Sequence, residues 1–361
     1  MAFEQIVGQE RAKVQAEAWL ASGRLPHAVL LCGPRGTGKR QMALELAKAV
    51  NCRGEGPAPC GSCSSCRKVE ALNHPDVHSL MPLPPQRNKK AAGDLRQSLL
   101  EYLRDKRELP RGSVNIAREN IRVLQRDMTY APAESVWKVG LVFEAESMHP
   151  AGANSLLKIL EEPPGHAIFI LVSSAPERLL PTVLSRCQRL VFKRLGEDQV
   201  RRWLQQEGLE GDRLELALQL GGGSVQRSLQ MVGDELDEVR RQAEEFLQAG
   251  LAGKDGVYWA LVEEWGSSGA RQQVEIFLEI LCTYMRDLFL LNQGRDQAAV
   301  HRDRGPVLGE LAGSLSVEQI EGLALEVERA FQSLHRNVNL RLVLTDCWRL
   351  LRRCGAALQR R

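Results

Sequence analysis

The chain has 361 residues, 43% hydrophobic, 26% charged and only 5% aromatic, which excludes a mostly disordered, collagen-like or coiled-coil protein. Lysine and arginine number 48 against 45 aspartate and glutamate, and the resulting +3 excludes wholesale coating of nucleic acid, so any such contact must be local. No run approaches the roughly 18 apolar residues that span a bilayer, and the start lacks a basic region followed by an apolar stretch, so we expect a cytoplasmic protein with no membrane partner.

At roughly 100 to 200 residues per domain, this length calls for two or three domains. Ala28 to Cys32 is a short apolar run that ends in Gly33-Pro-Arg-Gly-Thr-Gly38-Lys39, after which Arg40 to Val50 carries apolar residues at helical spacing. Strand, glycine loop and helix follow one another. Four of the nine cysteines come next, Cys52, Cys60, Cys63 and Cys66. Pro82 to Gly112 is a basic, Pro-led stretch with a helix marked by Leu95, Leu99 and Leu103; its mixed charge is that of an exposed helical excursion, although a local DNA or partner contact is conceivable. Val139 to Phe143 and Ala167 to Val172 are continuous apolar runs, as strands covered on both faces require, with a helical stretch from Ala151 to Leu160 between them. This alternation predicts an open, parallel α/β sheet.

Strand signals stop after Phe192. Leu195 to Leu251 reads as short helices broken at Gly208, Gly211 and Gly221 to Gly223, and Gln272 to Leu291, Val317 to Leu334 and Leu340 to Leu358 are long amphipathic stretches. The expected division is an α/β domain over residues 1–193 with a cysteine module at 52–66 and an insertion at 82–112, a small helical domain at 194–250, and an all-α domain at 251–361. A stripe such as Phe277, Leu281, Leu288 and Leu291 is more readily core than interface. The basic pairs Arg352-Arg353 and Arg360-Arg361 read as a solvated face.

Gly33, Gly36, Thr37, Gly38 and Lys39 match a phosphate-cradling loop, in which glycines turn backbone N–H groups toward phosphates at a helix N-terminus and the lysine adds a point charge. The bland alternative is a tight strand-to-helix turn with no ligand. The next position should carry Ser or Thr for magnesium and holds Arg40 instead. The acidic residue that ends a buried strand in such sites is replaced by Phe143, leaving Glu144 and Glu146 beyond it. Both protein ligands of the metal are thus missing, so hydrolysis is not expected, while binding of ATP or ADP stays open.

The cysteines are spaced Cys52-x7-Cys60-x2-Cys63-x2-Cys66, with glycines and prolines between them that let the chain close around one ion. Four thiolates suit tetrahedral zinc and leave no open position for catalysis, so the role is structural. Iron–sulfur ligation and free thiols are the alternatives.

A glycine loop, a helix and then this cysteine module resemble the bacterial DNA polymerase III clamp loader, an AAA+ family assembly. Val7-Gly8-Gln9-Glu10 and Leu25-Pro26-His27-Ala28 look like its adenine-side region, Asn154 to Pro164 is similar to its signature helix and turn, and Leu184-Ser185-Arg186-Cys187 matches its Ser-Arg-Cys motif. The resemblance covers residues 4 to 192. Among the loader's subunit types, Arg40, Phe143-Glu144 and Gly223-Ser224-Val225-Gln226, with Arg227 one place late, depart from the gamma/tau motor and resemble the delta-prime family.

That resemblance implies an AAA+ domain, a helical lid and a helical collar, in a chain with no catalysis of its own that works within the polymerase holoenzyme. It implies gamma/tau and delta subunits, the sliding clamp and primed DNA as partners, and Arg186 as an arginine finger on a neighbouring subunit's ATP. The bland reading of Arg186 is pairing with a carboxylate of its own domain, with Cys187 merely packing. An active gamma/tau-type ATPase is the competing function, and a regulatory AAA+ protein outside replication is disfavoured by the cysteine module.

Overall fold

A computed structural model describes residues 3–82, 115–232, 234–266, 270–335 and 338–358; most of the insertion at 82–112, and Arg360 and Arg361, lie outside these residues. The chain forms two compact units, one of residues 1–203 with 222–226, the other of residues 204–221 with 227–361.

The first unit is built on five parallel strands, β1 (Ala28–Cys32), β2 (Val77–Leu80), β3 (Lys138–Val142), β4 (Ala167–Ser173) and β5 (Gln188–Val191), in the order β2-β3-β4-β1-β5. The three central strands β1, β3 and β4 are buried along their whole length, which is why they read as unbroken apolar runs. Alternate residues serve opposite faces. Val29 and Leu31 of β1 join Leu141, Ile168 and Ile170 in a core with α1 (Glu10–Ser22), α2 (Lys39–Val50) and α3 (Ser64–Glu70). Ala28, Leu30 and Cys32 join Phe169 and Leu171 in a second core with α4 (Arg118–Thr129), α5 (Pro150–Glu161) and α6 (Pro181–Leu184).

The sequence reading missed both edge strands. β5 exposes Gln188, Arg189 and Val191 and buries only Leu190, and every residue of β2 is half-buried, so neither forms an apolar run. Helix α7 (Glu197–Gln206) leads out of this unit.

The described residues of the second unit are helical: α8 (Gly211–Gly221), the end of α9 (Val225–Gln230), α10 (Asp234–Ala252), α11 (Gly256–Trp265), α12 (Arg271–Asn292), α13 (Gly305–Ser314), α14 (Val317–His335) and α15 (Leu340–Leu358). One apolar core runs through them. Helix α12 is its axis, with Phe277, Leu281 and Leu288 fully buried and Leu291 half-buried against that core, so the stripe expected as core is core. Phe246 meets Phe277 edge-on at 5.3 Å between ring centres and lies 5.0 Å from Trp348. Arg240 is buried here and donates to both oxygens of Asp303 at 2.6 and 2.8 Å, so its charge is paired where burial would otherwise be costly.

Candidate functional site

The glycine loop joins β1 to α2 in the expected place. Gly33, Gly36 and Gly38 all have positive φ, and a Cβ on Gly33 would fall 2.1 Å from the carbonyl oxygen of Phe192. The loop is satisfied from within. Lys39 Nζ donates to the carbonyl oxygens of Gly33 at 2.7 Å and Pro34 at 2.5 Å, and the Thr37 hydroxyl donates to Pro34 at 2.8 Å. Burial, reinforced by Arg40 and Arg35, pushes the Lys39 ammonium down to about 8 against the pull of Glu144 and Glu146.

Arg40 Nη2 lies 2.8 Å from Glu144 Oε1, so an internal ion pair stands where the sequence lacks the hydroxyl and the aspartate. Phe143 is wholly buried among the apolar side chains beneath it. Glu144 has left-handed backbone at φ 49° just past β3, which turns its carboxylate back toward the loop. Glu146 accepts the Ser174 N–H at 3.0 Å, and burial, followed by repulsion from Glu144, pushes its carboxyl above the usual range.

Gln9, in the stretch that resembles the adenine side, clamps the loop to the far end of the sheet. Its amide donates to Lys193 O at 2.7 Å and Thr37 O at 3.3 Å and accepts the Lys193 N–H at 3.1 Å. A Cβ on Gly36 would fall 1.8 Å from Ser224 Oγ, which puts the Gly223-Ser224 motif against the loop within the first unit. Arg227 belongs to the second unit, where it donates to Leu220 O at 2.9 Å and pairs with Glu279.

Cys52, Cys60, Cys63 and Cys66 converge with all four sulfurs within 4.8 Å of one another. Four thiolates around one zinc at about 2.3 Å stand about 3.8 Å apart, so the cluster fits such an ion with small adjustment. The local fold prepares it. Cys60 Sγ accepts the Cys63 N–H at 3.3 Å, Cys63 Sγ accepts the Cys66 N–H at 3.4 Å, and Cys52 Sγ accepts the Cys60 N–H at 3.3 Å. The Cys63 N–H, then those of Ser62, bring the Cys60 thiol down to about 6, whereas burial pushes Cys66 up. A Cβ on Gly54 would fall 2.5 Å from Cys60 Sγ, so only glycine leaves room for the sulfur there. The set is consistent with a structural zinc site.

Arg186 stands in the turn between α6 and β5, half-exposed. Its Nη2 pairs with Glu161 Oε1 at 2.7 Å, and its Nη1 donates to Thr182 O at 3.0 Å and Ser185 Oγ at 3.5 Å. Cys187 beside it is buried, which pushes its thiol up to about 11. Both features of the bland reading are therefore present in the isolated chain.

One cluster escaped the sequence reading. Arg118, Arg122 and Gln125 of α4 face Ala151, Asn154, Ser155 and Lys158 of α5 across an open cleft of about 420 Å³. Spacing by four puts the two arginines on one stripe of α4, and among the described residues no carboxylate pairs with Arg118, Arg122 or Lys158. The signal was available as Arg-x3-Arg beside the lysine of the signature helix, but joining them required knowing that α4 and α5 pack together.

Comparison with known proteins decides the family. Residues 8–196 match the family described as DNA polymerase III, delta subunit, and residues 240–352 match its C-terminal counterpart. Over 318 residues the chain is 27% identical to DNA polymerase III subunit delta' of Bacillus subtilis, covering 88% of each chain. The chain belongs to the DNA polymerase III delta-prime subunit family. Its first unit is a parallel five-stranded α/β domain that carries the four-cysteine cluster.

It is also 35% identical over 238 residues to the gamma/tau subunit of Mycobacterium tuberculosis, but this covers 64% of the chain and only 36% of that relative. Among solved structures, a gamma subunit-related protein of Thermotoga maritima matches at 20% identity and TM-score 0.44, over 94% of this chain and 99% of the other. The RuvB branch migration motor of that organism matches at 13% identity and TM-score 0.39, over 86% and 88%. No described helix is long and apolar enough to cross a membrane.

Proposed function

We propose that this delta-prime family chain is a non-hydrolysing member of a clamp-loader ring. It sits beside gamma/tau and delta subunits, helps open the sliding clamp on primed DNA in the cytoplasm, and offers Arg186 to the ATP of a neighbouring motor subunit. The observation that carries this reading is the Arg40–Glu144 ion pair. With Lys39 spending donors on its own loop carbonyls, the groups that would bind phosphate and magnesium are committed to one another. ATP or ADP could enter only by displacing them.

The division of labour we propose follows residues 1–193 as the nucleotide-binding-like domain, 194–250 as the lid and 251–361 as the collar that holds the ring. Zinc, when bound, supplies four Zn–S bonds that crosslink the 52–66 module and no chemistry beyond that. Arg118, Arg122 and Lys158 are the groups we assign to DNA phosphates, which pair with exposed unpartnered cations independently of sequence. In the served neighbour, Arg186 would stabilise charge spreading over the γ-phosphate oxygens, an effect worth roughly 10³ to 10⁵ in rate where such fingers act.

Steady-state ATPase of a loader reconstituted with motor and delta subunits, clamp and primed DNA tests this, with the isolated chain as blank. We expect a silent blank and a lower stimulated rate with Arg186→Ala. A second reading, an active gamma/tau-type ATPase, is favoured by the 35% identity to gamma/tau. It predicts phosphate release by the isolated chain that Lys39→Ala abolishes.

A further inference from the structure

We propose that Glu161 is a latch on Arg186: it holds the guanidinium, neutralised, against its own domain until a nucleotide phosphate on a neighbouring chain takes its place. This rests on the finger role proposed above and adds a residue that acts through Arg186.

The geometry starts with the turn. Arg186 lies in a three-residue connection between α6 and β5, and its Nη1 folds back on that connection through Thr182 O and Ser185 Oγ. Such local bonds bend the side chain but leave its charge unpaired. Charge pairing comes from Glu161, distant in sequence and the last residue of α5, where Glu162 and then Pro163-Pro164 stop the helix. A helix C-terminus adds partial negative charge beside that carboxylate, so the cation is held by two effects of one sign. Proline stops also fix where α5 ends, so the carboxylate stands on a rigid element.

A guanidinium has five N–H donors in a planar fork. Both ends of the fork are already occupied within the domain, by Glu161 at Nη2 and by Thr182 and Ser185 at Nη1. To present the paired Nη donors to a phosphate, Arg186 must give up Glu161. The exchange is between one carboxylate and a more highly charged triphosphate, so it proceeds when a neighbour brings nucleotide within reach and reverses when the neighbour leaves. Both partners of the pair are partly exposed, which keeps the latch weak enough to open; ion pairs of this kind shift an equilibrium by roughly two- to fivefold.

The test is ATP hydrolysis by a reconstituted loader in which only the motor subunit beside this chain keeps its own loop lysine, comparing Glu161→Gln, Arg186→Ala and the double variant. Glutamine keeps the shape and a hydrogen-bond acceptor while removing the charge. We expect kcat/KM to rise two- to fivefold with Glu161→Gln at low salt, carried by a lower KM. The gain should shrink in 0.5 M salt, where the Debye length is a few ångströms, and vanish in the Arg186→Ala background. If Arg186→Ala lowers the rate while Glu161→Gln leaves kcat/KM unchanged or lowers it, the latch is wrong and the finger stands. A gain that persists without Arg186 also overturns the latch. If Arg186→Ala changes nothing, the finger role itself has failed.

Discussion

Replacing the loop lysine by methionine isolates the electrostatics of the glycine loop. Lys39 is 4% exposed and its ammonium is pushed from 10.5 to about 8, so the unfolded chain binds its proton more tightly than the folded chain does. Between those two values the unfolded state carries more protons, and stability must therefore rise with pH. At 1.36 kcal/mol per pKa unit, keeping Lys39 charged in the folded chain at pH 7 costs about 3 kcal/mol, and at pH 9.5 about 1 kcal/mol remains. Lys39→Met also loses the bonds to Gly33 and Pro34, so its net effect at pH 7 is a difference of similar amounts. The pH dependence is free of that loss. Relative to Lys39→Met, the unmutated chain should gain about 2 kcal/mol between pH 7 and 9.5. Because the chain has two units, the assay is urea unfolding read by pulse proteolysis, with cleavage mapped to the first unit. A difference between the two chains that stays constant across this range would refute the claim that the ammonium is buried and desolvated in the loop.

Three further outcomes follow from other parts of the molecule. Metal analysis of purified protein should find one zinc and no iron per chain, with Gly54→Ala lowering occupancy because its Cβ would crowd Cys60 Sγ; iron with a visible absorption band would replace zinc by a cluster. Phe277→Ala, which empties a fully buried ring site in α12, should destabilise the second unit by about 3–5 kcal/mol, measured by urea unfolding mapped to that unit. Arg40→Ser supplies a hydroxyl but breaks the ion pair with Glu144, so thermal stability should fall and magnesium-ATP should produce no compensating rise in Tm; a nucleotide-dependent rise would show that Arg40 alone closes the loop.

How far the sequence could be read depended on burial. β1, β3 and β4 were legible because covering both faces of a strand demands an unbroken apolar run, and each occurs where that run was read. β2 and β5 were not, because an edge strand needs only one buried residue in four, and Leu190 alone makes no pattern. In the second unit α12, α14 and α15 stand almost to the residue where amphipathic stretches are read, whereas the 19-residue α10 lies in a stretch read as short helices and α11 and α13 are not marked separately within the helical region. α13 is ten residues with three apolar side chains larger than Ala, namely Val307, Leu308 and Leu311, beside Pro306 and three glycines, too short and too weakly patterned for its period to show.

The candidate site divides along a different line. Residue identity at a motif position was visible in one dimension: Arg40 for a hydroxyl, Phe143 for an acid, four cysteines at ligand spacing. What those residues do depends on neighbours brought in by the fold. Arg40 reaches Glu144 more than a hundred positions away, and Arg186 reaches Glu161 across the end of a helix. Lys39 is the sharper case, because its place in the motif does not reveal which oxygens its ammonium meets. Its ammonium bonds the carbonyl oxygens of Gly33 and Pro34 and feels the pull of Glu144 and Glu146 from beyond β3, so its burial is offset by groups both near and far in sequence. Lys39, Arg40 and Glu144 therefore form one electrostatic group, in which Arg40 opposes the charge on Lys39 and Glu144 supports both cations.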